Sequence, residues 1–397
     1  MTEAVKTESG AETGPARIEQ PWMRRSGAFQ GAAAALLLAL GAWQGLAALS
    51  TTSAQNRLRA VMTMPAFLDG RATGAVNHVL AHLLPADGML RAAGGLLRWG
   101  VFDSGGPQLR VGCDDWLYLT EELRPWPEAE ANMAARAAAI GRIAGRLAQR
   151  DIALVVAVVP DKARRHAEHL CGAPRSAQAV ARYDAFLTAL RPQPVTVVPL
   201  LAPLQRQDPA FWRTDTHWNQ PGAAAAAEAI AAAVGGVTPA LPLTRGEQFA
   251  TTSADTETNG PGDLLRLMSL DQMPDWMSSW ARPKPDRQMV ESTAAVGGEA
   301  AGGGGGLLDE TPAPEIVLLG SSYSLNANFH GRLQQALEST VVNYGQAGGA
   351  FSGAAAAYFG SEAFRDTPPK LIIWEMPERA VVQPLSDMDR KLFSLFE

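Results

Sequence analysis

Five short runs, each apolar at several consecutive positions and separated by helical segments, constrain this chain more than any other feature. They are Asp151–Val159 (DIALVVAVV), Pro194–Val198 (PVTVV), Glu315–Leu319 (EIVLL), Val341–Tyr344 (VVNY) and Leu371–Trp374 (LIIW). A strand with one wet face alternates apolar and polar residues; runs apolar at consecutive positions belong to strands covered on both faces. Between them lie segments of helical character: Ala129–Arg150, residues 176–191, Gly222–Val234, Leu325–Leu337 and residues 353–364. Strands alternating with helices imply an α/β fold, a three-layer sandwich around a mostly parallel sheet, and reactive groups collect outside the carboxyl ends of such strands.

The N-terminal region sets the topology. No charge occurs between Arg25 and Arg57, and Gly27–Leu49 is a mostly apolar stretch of 23 residues. As a helix it would cover roughly 30 Å of hydrocarbon. Arg24 and Arg25 precede it, with Lys6 and Arg17 further upstream, which favours a cytoplasmic N-terminus and an exported remainder. The alternative is a cleaved signal peptide, for which Thr52-Ser53-Ala54 offers small residues. The expected layout is a cytoplasmic tail (1–25), a transmembrane anchor or signal segment (26–50), a linker or helical stalk (51–110) and one α/β domain (111–397). Within that domain, residues 283–314, with a GGEAAGGGGG tract between two Pro-containing clusters, read as a flexible insertion.

Apolar residues make up 47% of the chain and charged residues 19%, enough for a large core. A formal net charge of −6 makes nucleic acid an improbable partner. The two cysteines, Cys113 and Cys171, either close a disulfide in an oxidising compartment or lie buried as thiols.

Two motifs carry chemistry. In RTDTHWNQPG (213–222), Asp215 and His217 would point to one side if the segment is extended, and Asn219 is placed to cap a helix opening at Gln220-Pro221-Gly222. An adjacent carboxylate fixes the tautomer of a histidine and stabilises its imidazolium. Asp-x-His alone is equally a satisfied polar loop. A metal at His217 would need further ligands, and His78, His82, His166, His169 and His330 share no sequence neighbourhood with it. In EIVLLGSSYSLN (315–326), a buried strand ends at Gly320 and turns sharply into a helix, which lifts a serine above the sheet beside free backbone N–H groups. The plain alternative is a cluster of capping serines. Asp161 and Lys162 follow the first strand, either near this site or as a structural ion pair. Trp218 and Trp374 fall at site-facing ends, where an indole either stacks on a sugar ring or packs in the core.

The block G-S-S-Y-S resembles the G-D-S-x-S nucleophile block of SGNH hydrolases, and D-T-H-W resembles the Asp-His block of the alginate O-acetyltransferase branch, the AlgJ/AlgX group. As in that branch, the Asp-His block precedes the serine block, a permuted order. VVPDKARRHAEHLC (158–171), VVNYGQAGG (341–349) and LIIWEMPER (371–379) are similar to the same group. The resemblance covers roughly residues 111–385. It implies Ser322 as nucleophile, His217 as general base and then acid, Asp215 as its orienting partner, and Gly348 as an oxyanion donor with Ser322. It also implies periplasmic acetylation of an exopolysaccharide, alginate-like or cellulose, without cofactor or metal. A multi-pass membrane O-acyltransferase of the inner membrane would supply acetyl, among other exopolysaccharide secretion proteins. Ser321 stands where most SGNH members carry Asp. Little chain follows WEMPER, which places the sequence nearer the AlgJ type than AlgX types with a C-terminal carbohydrate-binding module. An acetyl esterase of the same fold and a non-catalytic polysaccharide-binding scaffold are the competing readings.

Overall fold

The structure, a computed structural model, describes residues 21–237, 241–273, 283–297 and 314–397. Residues 1–20 of the expected tail (1–25) and the glycine tract of the insertion lie outside the described residues.

The chain divides into two compact units, one ending at Arg91 and one beginning at Ala92. The first contains helices α1 (Pro21–Leu49), α2 (Thr52–Arg59), α3 (Met64–Leu68) and α4 (Arg71–His82), and the start of α5 (Asp87–Phe102). Gly27–Leu49 is long and apolar enough to cross a membrane, a property shared by anchors and signal sequences.

The second unit starts earlier than residue 111. Ala92, Leu96 and Trp99 pack with Leu109, Leu117, Leu264 and Met268, so the C-terminal part of the expected stalk belongs to the domain core. Its helical pattern did not reveal these partners because they come from segments far away in sequence. An antiparallel pair follows, β1 (Leu109–Val111) with β2 (Leu117–Leu119). The disulfide Cys113–Cys171 ties the turn between them to the segment after strand Ala153–Val159, with a Cα–Cα distance of 5.6 Å.

The central sheet has five strands: β3 (Ala153–Val159), β4 (Thr196–Pro199), β7 (Ile316–Leu319), β8 (Val341–Asn343) and β9 (Leu371–Pro377). Their order is β4-β3-β9-β7-β8, and every pairing is parallel. Strand alternation sorts the apolar runs into two cores. Leu154, Val156, Val158, Val317, Leu319, Ile372, Trp374 and Met376 face one side, against helices 129–148, 177–190 and 353–359. Val155, Ala157, Val159, Ile316, Leu318, Leu371 and Ile373 face the other, against helices 220–235 and 329–337. Burial on both faces is why consecutive positions are apolar, and the three-layer expectation holds.

The insertion differs from expectation in part. Phe249–Asn259 (β5) pairs antiparallel with Arg287–Ala295 (β6) in a two-stranded ribbon, so residues 287–295 form a strand. Both strands are polar and largely exposed (TTSADTETN with RQMVESTAA), so no apolar period announces them and only the ladder hydrogen bonds define them.

Candidate active site

The carboxyl ends of β3, β7, β8 and β9 lead into Asp161–Lys162, the serine turn, the Gly345–Gly349 loop and Glu378–Arg379 at one edge of the sheet. After β7 the chain turns at Gly320, where a Cβ would collide with Ser324 Oγ and Glu375 Oε2, so only glycine fits. A single 3₁₀ turn, Ser322–Leu325, follows, and the α-helix starts only at Phe329. Beneath the turn lies Glu375, fully buried on β9. It accepts hydrogen bonds from Ser321 N–H (2.7 Å), Ser321 Oγ (3.0 Å) and Ser324 Oγ (2.9 Å). The departure from the family pattern at Ser321 thus has a physical counterpart. An acid is present under the turn, but the neighbouring strand supplies it. Burial raises the Glu375 carboxyl above the ordinary range, against the opposing pull of these donors.

The Asp-His segment is not extended. It runs through bends, and Asp215 Oδ1 accepts the His217 backbone N–H at 2.9 Å in a local side-chain turn. Asp215 and His217 meet through this turn and not through the alternation of a strand. Its backbone is held from outside: Lys162 Nζ donates to Arg213 O (2.7 Å) and Asp215 O (2.9 Å), and Thr216 N–H donates to Asp263 Oδ1 at 2.7 Å. The loop runs into helix 220–235, where Asn219 Oδ1 accepts Gly222 N–H and Pro221 occupies the first turn, as the sequence implied.

The two segments converge. His217 Nε2 lies 2.7 Å from Ser322 Oγ, and His217 Nδ1 lies 2.6 Å from Asp215 Oδ1. Asp215 Oδ2 accepts the N–H groups of Gly262 (2.8 Å) and Asp263 (2.7 Å). Tyr323 Oη donates to Thr216 O at 3.0 Å and so ties the serine turn to the histidine loop. Burial opposes ionisation of Asp215, but the hydrogen bond and charge of His217, with the backbone donors, outweigh it and hold the carboxyl at about 2. Asp263 behaves oppositely: burial, then the nearby Asp215 carboxylate, pushes it up. Its Oδ2 is 3.7 Å from His217 Nδ1. Sequence reasoning missed Asp263, which lies 48 positions after Asp215 in no recognisable motif; only the glycine before it hinted at a turn.

A cavity of about 220 Å³ opens beside Ser322, lined also by Ser321, Gly348, Ala350, Arg379, Gln383 and Glu121. Gly348 has φ +73°, a conformation that favours glycine, and neither its N–H nor that of Ser322 donates a hydrogen bond among the described residues. The Arg379 guanidinium is braced by Glu121 Oε1 (2.9 Å) and approaches Tyr323 Oη (3.4 Å).

The other sequence candidates resolve as follows. Trp218 and Trp374 are fully buried, in opposite cores, so neither offers a face to a sugar ring. The stacking expectation is corrected: Trp218 packs between Tyr323 and Phe329, Trp374 packs against Phe351, and truncating either would cost about 3–5 kcal/mol. Asp161 belongs to a buried ion network with Arg182, beside Glu378 and Arg164, whereas Lys162 holds the histidine loop. His166 accepts Ala210 N–H, and burial lowers it to about 4, so it is a neutral structural residue. Single ligand atoms of Asp215, His217 and Asp263 lie within 4.8 Å of one another, near enough for a cation. However, Nδ1 and both Asp215 oxygens are already engaged in the hydrogen bonds above. What remains free to react is a serine hydroxyl bonded to an imidazole that a buried carboxylate orients, the arrangement required for acyl transfer.

The chain resembles known proteins over most of its length. Residues 109–378 match the family model described as SGNH hydrolase-like domain, acetyltransferase AlgX. The chain is 35% identical over 351 residues to a probable alginate O-acetylase AlgJ of Pseudomonas syringae pv. tomato, covering 87% of this chain and 85% of that one. The corresponding Pseudomonas aeruginosa protein is 30% identical, with coverage of 80% and 83%. Among solved structures, the O-acetyltransferase domain of Pseudomonas putida AlgJ superposes with a TM-score of 0.62 at 31% identity, covering 73% of this chain and 99% of that domain. By fold, motif order and relatives, the chain belongs to the AlgJ/AlgX family of SGNH hydrolase-like acetyltransferases.

Proposed function

We propose that this protein O-acetylates an exopolysaccharide, alginate or a polymer of similar chemistry, in the periplasm, through an acetyl-Ser322 intermediate. The observation that carries this reading is the 2.7 Å contact between His217 Nε2 and Ser322 Oγ, with Asp215 behind the imidazole. His217 takes the Ser322 proton as Oγ attacks the acetyl carbonyl of a donor. The tetrahedral oxyanion is met by the Ser322 and Gly348 N–H groups, both uncommitted among the described residues. The donor's leaving group departs with the proton from His217. In the second half-reaction His217 deprotonates a sugar hydroxyl, which attacks the acetyl carbon, and the proton returns to Ser322 Oγ. Every step needs only these side chains and backbone donors. A cavity of about 220 Å³ suits a small acyl group.

The names of the relatives support alginate as the polymer. Helix α1 would hold the domain at the inner membrane, and a multi-pass membrane acyltransferase would deliver acetyl from the cytoplasm, in company with other polysaccharide secretion proteins. Ser322→Ala should leave the fold and Tm unchanged and lower turnover of a chromogenic acetate by roughly three orders of magnitude or more. Full activity in that variant would remove Ser322 from the reaction. Incubating the protein with an acetyl donor and alginate oligosaccharides separates transfer from hydrolysis: transfer adds acetyl masses to the sugar, and an esterase releases only acetate.

A further inference from the structure

Between Met62 and Leu90, six large apolar side chains are more than half exposed: Met62, Met64, Phe67, Leu68, Met89 and Leu90, each between 58% and 78%. Met64, Phe67 and Leu68 are spaced i, i+3, i+4 and so share one side of α3. Side chains of this size are normally withdrawn from water, and a dense set of them left exposed marks a surface that something apolar covers.

The position of α4 and of the start of α5 along α1 points to what covers this region, to which α3 is joined through α4. Ala86 N–H donates to Gln44 Oε1 at 2.9 Å, Leu80 lies against Gly45, and Ala48, Ala54 and Val79 form one buried cluster. The end of α4 and the start of α5 are thereby fixed beside the last two turns of α1. Gln44 is five residues from the end of α1, or about 7.5 Å along the helix. If α1 spans the hydrocarbon, the segment tied to it lies at the depth where amphipathic helices embed, about 5–10 Å into the headgroup boundary. The charges fit the same environment. In residues 51–91 the only acids, Asp69 and Asp87, are paired with Arg71 and Arg91. Arg57 and Arg59 form no ion pair among the described residues, which leaves two cations for anionic headgroups.

We propose that residues 52–91 form an interfacial collar, with Met62, Met64, Phe67, Leu68, Met89 and Leu90 inserted in the outer leaflet of the membrane that α1 spans. The proposal rests on α1 being a retained span. The test uses the full chain in nanodiscs of phosphatidylethanolamine and phosphatidylglycerol, spin-labelled at Phe67→Cys, Leu90→Cys, Leu38→Cys within α1, or the exposed Val180→Cys of helix 177–190. Relative collision with oxygen and with a water-soluble nickel chelate is read at each position. Oxygen should dominate several-fold at 38, 67 and 90, and nickel at 180. Lipid contact at 38 with aqueous behaviour at 67 and 90 overturns the collar, leaves the anchor standing and points to a protein partner for this face. Shielding of 67 and 90 from both reagents also overturns it, in favour of self-association. Aqueous behaviour at 38, or loss of the N-terminal segment on mass spectrometry, shows that the anchor reading itself fails and takes the collar with it.

Discussion

The serine turn and the histidine loop meet at one hydrogen bond but are built in opposite ways. Residues 320–325 inherit their position from β7: a buried strand stops, a glycine permits the turn, and the hydroxyl is lifted above the sheet edge. Residues 213–217 belong to no regular element. Lys162, Asp263, Gly262 and Tyr323, from three other parts of the chain, hold them. One half of the site is thus specified locally, and the other is assembled by distant side chains. Mutations should divide along this line: changing the acid beneath the turn should cost less than changing the carboxylate that the loop shares.

The sharpest test is Asp215→Asn. An amide cannot stabilise the imidazolium or hold both the His217 Nδ1–H and the two backbone donors in their present sense. A loss in kcat of about 10⁴-fold is expected, with Tm falling as well because Gly262 and Asp263 lose their acceptor. A smaller effect is expected in the turn. Glu375→Gln is isosteric yet sets an amide against three donors, and should lower kcat by about 10–100-fold through misplacement of Ser322, with KM little changed. If kcat survives intact, the buried carboxyl already carries its proton in the native state, and the contrast between the two halves deepens.

The smallest effect concerns pH and the brace behind the loop. Glu122 is fully buried and its Oε1 has no hydrogen-bond partner among the described residues, while burial and then Asp161 push its carboxyl up to about 8. The folded protein therefore keeps a proton there that the unfolded chain releases above the ordinary carboxylate range. Stability should fall as pH rises from about 4.5 towards 8. Lys162, which burial lowers to about 8, works in the opposite direction, but only above that pH, where the folded form deprotonates first. Glu122→Gln should flatten the decline, matching the wild-type Tm near pH 4.5 and exceeding it by a few degrees at pH 8. Parallel Tm curves for the two proteins would place the titration elsewhere.

Legibility followed the same division. The strand runs, the cap at Asn219 and the nucleophile turn were readable because each rests on neighbours in sequence. The two tryptophans were misplaced because a residue beside a motif can point into the core as easily as into the site. The β5–β6 ribbon is not legible in the sequence because two polar strands carry no hydrophobic period, nor is the domain start near residue 92, because its packing partners lie far along the chain.

From its residues alone the chain specifies a doubly covered parallel sheet, since only burial on both faces accounts for consecutive apolar positions, and an apolar N-terminal helix of membrane-spanning length. It also specifies, through family resemblance, which serine, histidine and aspartate to pair. Their meeting at hydrogen-bond distance, the acid supplied from β9 beneath the serine, and the second carboxylate at Asp263 depend on which elements the fold brings side by side. Contacts between residues tens of positions apart leave no local pattern, so only packing of the sheet and its helices establishes them.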